Sequence, residues 1–151
     1  MAEIRKSVLV EHGADAMFRL VDGVEDYAAF LPWCGGGEVL ERSVEHVVAV
    51  VHIRYHGIKA HFSTVNEVEP GRRIRMRLRE GPFRKLDGEW NFTPLTEAAC
   101  KVEFVLHYEF SSSLLEKVLG PVFSQITGSF VEAFIRRADQ LAAQGSGAVF
   151  K

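Results

Sequence analysis

The stretch that decides the fold is SSSLLEKVLGPVFSQITGSFVEAFIRRADQLAAQ, residues 111–144, the only segment long and periodic enough to be a dominant helix. Its apolar residues recur every three or four positions, so they share one stripe of a helix that must be buried. A helix of this length extends about 45 Å at about 1.5 Å per residue, so a broad surface must lie against it. The stripe consists of Leu115, Leu119, Val122, Ile126, Phe130, Ala133 and Leu141.

The sequence also marks the two ends of this helix and one break within it. Ser113 and Glu116 have the spacing of a capping pair at the start, and the glycines of residues 145–147 (GSG) predict the end. Gly120 and Pro121 predict a bend or break, because proline lacks the backbone N–H and its ring clashes with the preceding turn. The first turns are therefore expected to form a separate flap.

The length of 151 residues and the 47% hydrophobic content predict one domain, residues 1–145, with a flexible tail at residues 146–151. The sequence has no long uninterrupted apolar run and no leader-like N-terminus, which favours a cytoplasmic protein. The formal charge of −2 argues against a globally basic DNA-binding protein, but it leaves a local basic face open. Cys34 and Cys100 lack metal-ligand spacing and are expected to be reduced.

The remaining elements are read from changes of period. A strand at residues 4–10 is followed by short helices at 15–21 and 22–30 and by a glycine-rich loop at 31–37. Residues 38–110 alternate with period two, which is typical of antiparallel strands joined by short turns. The predicted fold is therefore α+β: a strongly curved antiparallel sheet of about six or seven strands wrapped around the long C-terminal helix.

The inward face of this sheet carries polar side chains at Thr64, Asn66 and Tyr108 among many aromatic ones. Unpaired polar groups are costly in a dry core, so a cavity between sheet and helix is the natural place for them, and such a cavity is the usual form of a small-molecule site. Asn66 and Tyr108 could hold a ligand carbonyl. The candidate ligand-binding residues are Trp33, Val51, Ile53, Tyr55, Phe62, Thr64, Asn66, Met76, Leu78, Trp90, Phe104, Leu106, Tyr108, Leu119, Phe123, Ile126 and Phe130.

Several motifs in a fixed order carry a resemblance to a known family that covers nearly the whole chain. They are residues 27–34 (YAAFLPWC), 62–66 (FSTVN), 81–86 (GPFRKL), 88–90 (GEW), 92–95 (FTPL), 100–110 and 134–138 (FIRRA). In these motifs the chain resembles the START-like, helix-grip superfamily, and within it the coenzyme Q-binding and ribosome association toxin family. The loop departs from the pattern at residues 35–37, where relatives often have a hydroxyl residue.

The resemblance implies a hydrophobic pocket for a lipid-like ligand, with ubiquinone or another isoprenoid quinone as the best candidate, and a carrier or chaperone role in respiration. No further cofactor is expected. Bacterial relatives are also associated with binding the large ribosomal subunit and blocking subunit association, which is the alternative function. A cyclase-like enzyme is the third, but no nucleophile, base and orienting group occur together in the sequence.

The alternating arginines of residues 73–79 form a second candidate site, the arginine stripe: Arg73, Arg75, Arg77 and Arg79. Guanidinium groups bind phosphate well, so the stripe could contact ribosomal RNA. Glutamates on neighbouring strands could instead pair with it as ordinary ion pairs. Five histidines of residues 46–107 are scattered over several strands without a carboxylate-rich partner set, so no metal site is expected.

Access to the cavity is expected between the loop of residues 31–37 and the start of the long helix, where the backbone breaks are strongest. Leu31, Trp33, Leu114, Leu115 and Val118 would line an apolar rim there. Such a rim could touch the surface of the inner membrane while a quinone enters. The alternative is that Trp33 packs in a closed core.

Overall fold

A seven-stranded antiparallel sheet and a long helix make up the fold, as predicted. The computed structural model describes the backbone of residues 2–149 and the side chains of residues 2–144. The strands lie in the order β1-β7-β6-β5-β4-β3-β2. The elements are β1 Ala2–Val10, α1 Ala14–Asp22, a 3-10 helix Val24–Ala29, β2 Cys34–Arg42, β3 His46–Tyr55, β4 Ile58–Glu69, β5 Arg73–Glu80, β6 Phe83–Thr96, β7 Ala99–Phe110 and α2 Ser113–Val149.

The alternation of the sequence sets the two faces of the sheet. In β7 every second residue is buried along the whole strand, which is the pattern of a sheet with one covered face. The covered face packs against α2 in a core whose largest fully buried side chains are Trp90, Phe92, Phe104 and Phe134. The α2 backbone lies close to α1, β1 and β7, so large side chains fill the wider space between α2 and the other strands.

Residues 34–37 belong to a strand rather than to the predicted loop and hinge. Cys34 pairs with Ile53, Gly37 pairs with Val51, and a bulge lies between Cys34 and Gly36. A Cβ atom at Gly37 would collide with the carbonyl oxygen of Val24, so glycine is needed here for close approach of the 3-10 helix. Packing of the 3-10 helix on β2 therefore explains the glycine at position 37.

The start, middle and end of α2 differ from the prediction. The cap is Ser112, whose Oγ accepts a hydrogen bond of 3.2 Å from the Leu115 N–H. The helix passes through Pro121 without a break and continues to Val149. Val122 and Phe123 are buried directly after the proline, and this packing offsets the helix-breaking cost of about 3 kcal/mol. The predicted flap and the predicted end at residues 145–147 are wrong, whereas the division into domain and tail stays a prediction.

The helix α2 is long and apolar on average, although its sequence contains no long uninterrupted apolar run. By length and composition alone, its segment Ser113–Gln144 could cross a membrane. The core helix of a folded domain can meet the same two criteria. Here Phe123, Ile126 and Phe134 are buried against the sheet and α1, so the apolar composition of α2 serves the core of this structure.

Candidate functional site

An apolar internal cavity of about 70 Å³ lies between α2 and the covered face of the sheet. The 3-10 helix closes one end, and strands β3 to β7 form the wall opposite α2. No charged side chain lines it within the described residues. The lining consists of Val24, Tyr27, Trp33, Ala49, Val51, Phe62, Thr64, Asn66, Met76, Leu86, Trp90, Phe104, Leu106, Phe123, Ile126, Thr127 and Phe130.

Most of the residues predicted from the sequence to bind ligand come together in this lining, although ligand binding by them stays a prediction. Five do not line it. Ile53 and Leu119 line a smaller neighbouring pocket, and Tyr108 lines an open polar groove beside the first turns of α2. Tyr55 and Leu78 are half-buried near the ends of β3 and β5, beyond the cavity.

Sequence reasoning did not assign five of the lining residues. Tyr27 and Val24 reach the cavity because the 3-10 helix packs on β2, which is a tertiary contact without a local signal. Ala49 shares the inward face of β3 with Val51, so the alternation of this strand could have identified it as a lining residue. The five residues are Val24, Tyr27, Ala49, Leu86 and Thr127.

Two hydroxyl groups of the cavity lining donate hydrogen bonds within the protein. Thr64 donates its hydroxyl hydrogen to Asn66 Oδ1 at 2.8 Å, and Tyr108 lines the separate groove, so Asn66 and Tyr108 do not face one ligand carbonyl together as expected from the sequence. Thr127 donates to the Phe123 carbonyl oxygen of its own helix at 3.0 Å. Within the described residues, the side-chain nitrogen of Asn66 forms no hydrogen bond. Asn66 therefore presents an amide donor to the cavity on a largely apolar wall.

Aromatic rings form most of the remaining wall. Trp90 lies at the centre, with ring centroids 4.3 Å from Phe104 and 5.7 Å from Phe130. Trp33 contacts Phe130 from the other side at 5.8 Å. Both tryptophans of the chain thus line the cavity, and a bound molecule would contact both indole rings.

Phe62 separates the cavity from a second apolar pocket. Its ring lies 6.1 Å from Phe123, and both residues line the two spaces. The second pocket leads past Ile53 and Val122 to Leu119 in the first half of α2. Phe62 is only half-buried. Rotation of its side chain would join the two spaces along the helix.

The predicted entrance is not formed. Trp33 is 6% exposed and Leu31 is 1% exposed, whereas Leu114 is 70% exposed. The Trp33 ring meets α2 at Phe130, sixteen residues or about 24 Å along the helix from Leu114 at about 1.5 Å per residue. The loop and the start of α2 therefore do not form one rim, and the closed-core alternative for Trp33 fits the structure.

The ionisable groups near the cavity are held neutral. Burial raises the pKa of the Tyr27 phenol and the pKa of the Cys34 thiol above their usual values. Burial likewise raises the pKa of Tyr108, and a hydrogen bond with Thr127 partly opposes this rise. Cys34 and Cys100 are free and buried. Among the described residues, no three His, Cys, Asp or Glu side chains are grouped as metal ligands.

The arginine stripe lies on the outer face, and each of its members has a carboxylate partner. Arg75 contacts Glu89 at 3.2 Å and Arg77 contacts Glu67 at 3.2 Å, both across neighbouring strands. Arg73 and Arg79 pair with Glu69 and Glu80 at 3.2 and 3.7 Å. Hydrogen bonds from Asn91 and Arg75 lower the pKa of Glu89, so its charge persists. The stripe is thus largely neutralised by its neighbours.

Comparisons with known proteins identify the family. A family model described as polyketide cyclase / dehydrase and lipid transport matches residues 10–135. The ribosome association toxin RatA of Vibrio cholerae is 48% identical over 141 residues, which cover 93% of this chain and 98% of that protein. Coenzyme Q-binding protein COQ10 homolog B, mitochondrial, of Xenopus laevis is 23% identical, with 92% of this chain and 59% of that protein covered.

Among solved structures, the Zhui aromatase/cyclase from Streptomyces sp. R1128 superimposes with a TM-score of 0.80 at 18% identity. The match covers 92% of this chain and 94% of that chain, and at this identity it shows a shared fold. The relatives of high identity are named as toxins rather than enzymes. The chain belongs to the polyketide cyclase/dehydrase and lipid transport family of START-like proteins, and ribosome association toxins and coenzyme Q-binding proteins are among its relatives.

Proposed function

We propose that this protein binds an isoprenoid quinone of the ubiquinone class in the cavity between α2 and the sheet. The observation that carries the proposal is the apolar cavity with the amide donor of Asn66 on its wall. A quinone has the matching composition, because two carbonyl acceptors sit on a flat ring attached to a long apolar tail. Catalysis is not part of this function, since no charged acid or base faces the cavity among the described residues.

The position of Asn66 suggests how the head group binds. Thr64 fixes the amide by donating to its oxygen at 2.8 Å, which turns the amide nitrogen away from Thr64. In a low-dielectric site a hydrogen bond from this nitrogen to a ligand carbonyl is stronger than in water. The rings of Trp90 and Phe104 would then lie against the quinone ring.

The cavity must enlarge before a quinone fits. Pockets that hold drug-sized ligands have about 300–1,000 Å³, several times the volume present here. Two half-buried side chains in the lining can provide the space. Rotation of Phe62 opens the second pocket for the tail, and Met76 has the unbranched, adaptable side chain that reshapes apolar sites.

The role of the amide can be tested with the double variant Thr64→Val/Asn66→Leu. Removing both partners avoids leaving a buried hydroxyl without an acceptor, so the protein should remain folded. Its affinity for a short-tailed quinone should fall by about two- to twelvefold, the value of one hydrogen bond of about 0.5–1.5 kcal/mol. Affinity for an apolar analogue of the same shape without carbonyl groups should not change, as calorimetry would show.

A matched control for that experiment is Thr127→Val. This hydroxyl lines the same cavity but already bonds to the Phe123 carbonyl oxygen, so its loss should leave quinone affinity unchanged. Equal losses in both variants would mean that polarity in general, rather than the Asn66 donor, governs binding.

The ligand itself is identified by solvent extraction of the purified protein followed by mass spectrometry. We expect a quinone with an isoprenoid tail in the extract. Transfer of such a ligand would bring the protein to the surface of the inner membrane, with the cytoplasm as its main location. Absence of any bound lipid, together with no quinone uptake on titration, would rule out the proposal.

A second function, association with the large ribosomal subunit, rests on the 48% identity to a ribosome association toxin over nearly the full length of both chains. It uses the exterior of the protein and is compatible with a ligand inside. Co-sedimentation of the purified protein with large subunits at low salt tests it. A protein that remains in the supernatant at every salt concentration lacks this activity.

A further inference from the structure

The outer face of the β3–β4 hairpin carries four basic side chains on two neighbouring rungs. Arg54 lies directly opposite Lys59, and His52 lies directly opposite His61, with imidazole centroids 5.8 Å apart. We refer to these four residues as the basic patch. The two rungs are separated by two residues, or about 7 Å along the strands. Arg54, Lys59 and His61 are exposed, and His52 is partly exposed.

The basic patch has fewer counter-charges than the arginine stripe. Within the described residues, neither Arg54 nor Lys59 forms an ion pair, and the only carboxylate at the patch is Glu38, 3.6 Å from His52. Like charges directly opposite each other on neighbouring strands destabilise a sheet. The fold therefore carries an unfavourable pair here, although it neutralises every arginine of the stripe.

The shape of this surface suits an extended anion. The patch borders an open groove of about 390 Å³ whose floor includes Gly35 and Gly36 of β2. A Cβ atom at Gly35 would lie 3.3 Å from the Cβ of Arg54, so the glycine leaves room for the arginine to lie across β2. Guanidinium and imidazole groups can both bind phosphate and stack on bases.

We propose that the basic patch is an RNA-binding surface that contacts the phosphate backbone of ribosomal RNA. The assignment rests on the second proposed function, ribosome association, and it moves the expected contact from the arginine stripe to the β3–β4 hairpin. An anionic membrane is the other polyanion that such charge would attract. RNA is favoured because, among the described residues, no large exposed apolar side chain lies at the patch to enter a bilayer.

The test compares two variants of the full chain with equal loss of charge, Arg54→Gln/Lys59→Gln and Arg75→Gln/Arg77→Gln. Each is assayed for co-sedimentation with large subunits, for binding to protein-free large-subunit RNA, and for binding to phosphatidylglycerol vesicles. The patch variant should bind RNA about tenfold more weakly. The slope of the logarithm of its binding constant against the logarithm of the salt concentration should be smaller by about 1.4–1.8, corresponding to two lost phosphate contacts. The stripe variant should change little, because its arginines already have partners.

Folding is checked by urea unfolding, and the patch variant should be at least as stable as the unmodified protein because a repulsive pair is removed. If the unmodified protein sediments with subunits and the patch variant does so equally well, the patch assignment is wrong while ribosome association stands. If RNA binding depends on the patch but no sedimentation occurs, ribosome association fails and the RNA surface stands. Patch-dependent binding to vesicles but not to RNA would overturn the assignment in favour of a membrane.

Discussion

Replacing Ala49 by leucine should weaken quinone binding at least tenfold without unfolding the protein. Ala49 is 2% exposed on β3 and lines the cavity, so the three added carbon atoms enter a space of about 70 Å³. Filling an existing cavity adds dispersion contacts and removes the space for the ring. We expect at least a tenfold loss of affinity, or about 1.4 kcal/mol, with an unfolding midpoint that is unchanged or higher.

The matched control is Val48→Leu on the same strand. Val48 is the adjacent residue and points to the outer face, where it is only half-buried, so enlargement there leaves the cavity unaffected. Quinone titrations of the two variants are compared directly. Full affinity in Ala49→Leu would show that the ligand binds elsewhere, whereas an equal loss in Val48→Leu would point to a general disturbance of β3.

Trp90→Ala should give the largest loss of stability. Trp90 is 1% exposed and contacts Phe92, Phe104, Phe130 and Phe134. Truncating a buried tryptophan typically costs about 3–5 kcal/mol, because both the transfer of the indole and the cavity left behind contribute. The total free energy of unfolding of a domain is about 5–15 kcal/mol, so this variant should be marginally folded.

Urea unfolding followed by circular dichroism measures this loss. The control is Leu114→Ala on the first turn of α2, where the side chain is 70% exposed and the expected change is within about 0.5 kcal/mol. A loss below about 1 kcal/mol in Trp90→Ala would mean that the aromatic cluster between α2 and the sheet is not the main source of stability.

The periodic parts of the sequence predicted the fold and the inward face of the sheet well. Alternation with period two placed Val51, Thr64 and Trp90 on the face that lines the cavity. The same alternation also predicted that Tyr55 and Leu78 line the cavity, but these two residues lie near the ends of their strands. Periodicity identifies a face but does not tell how far along each strand the helix covers it.

The features of the cavity that were not predicted depend on contacts between distant segments, and local sequence patterns do not encode such contacts. The backbone freedom of the glycines at 35–37 led to the prediction of a hinge. Gly37 instead permits the 3-10 helix to approach β2, which brings Tyr27 to the cavity. Pro121 predicted a break that the packing of the residues after it overrides. Asn66 lines the cavity whereas Tyr108 lines a separate groove, so the two residues expected to hold one ligand carbonyl lie apart.

The central claim is tested most directly by titrating the delipidated protein with a ubiquinone while tryptophan fluorescence is recorded. Trp33 and Trp90 are the two tryptophans of the chain and both line the cavity, so a quinone bound there should quench most of the emission. The account predicts saturable quenching at one quinone per chain, lost in Ala49→Leu and kept in Val48→Leu. Quenching that rises linearly without saturation, and equally in both variants, would contradict it.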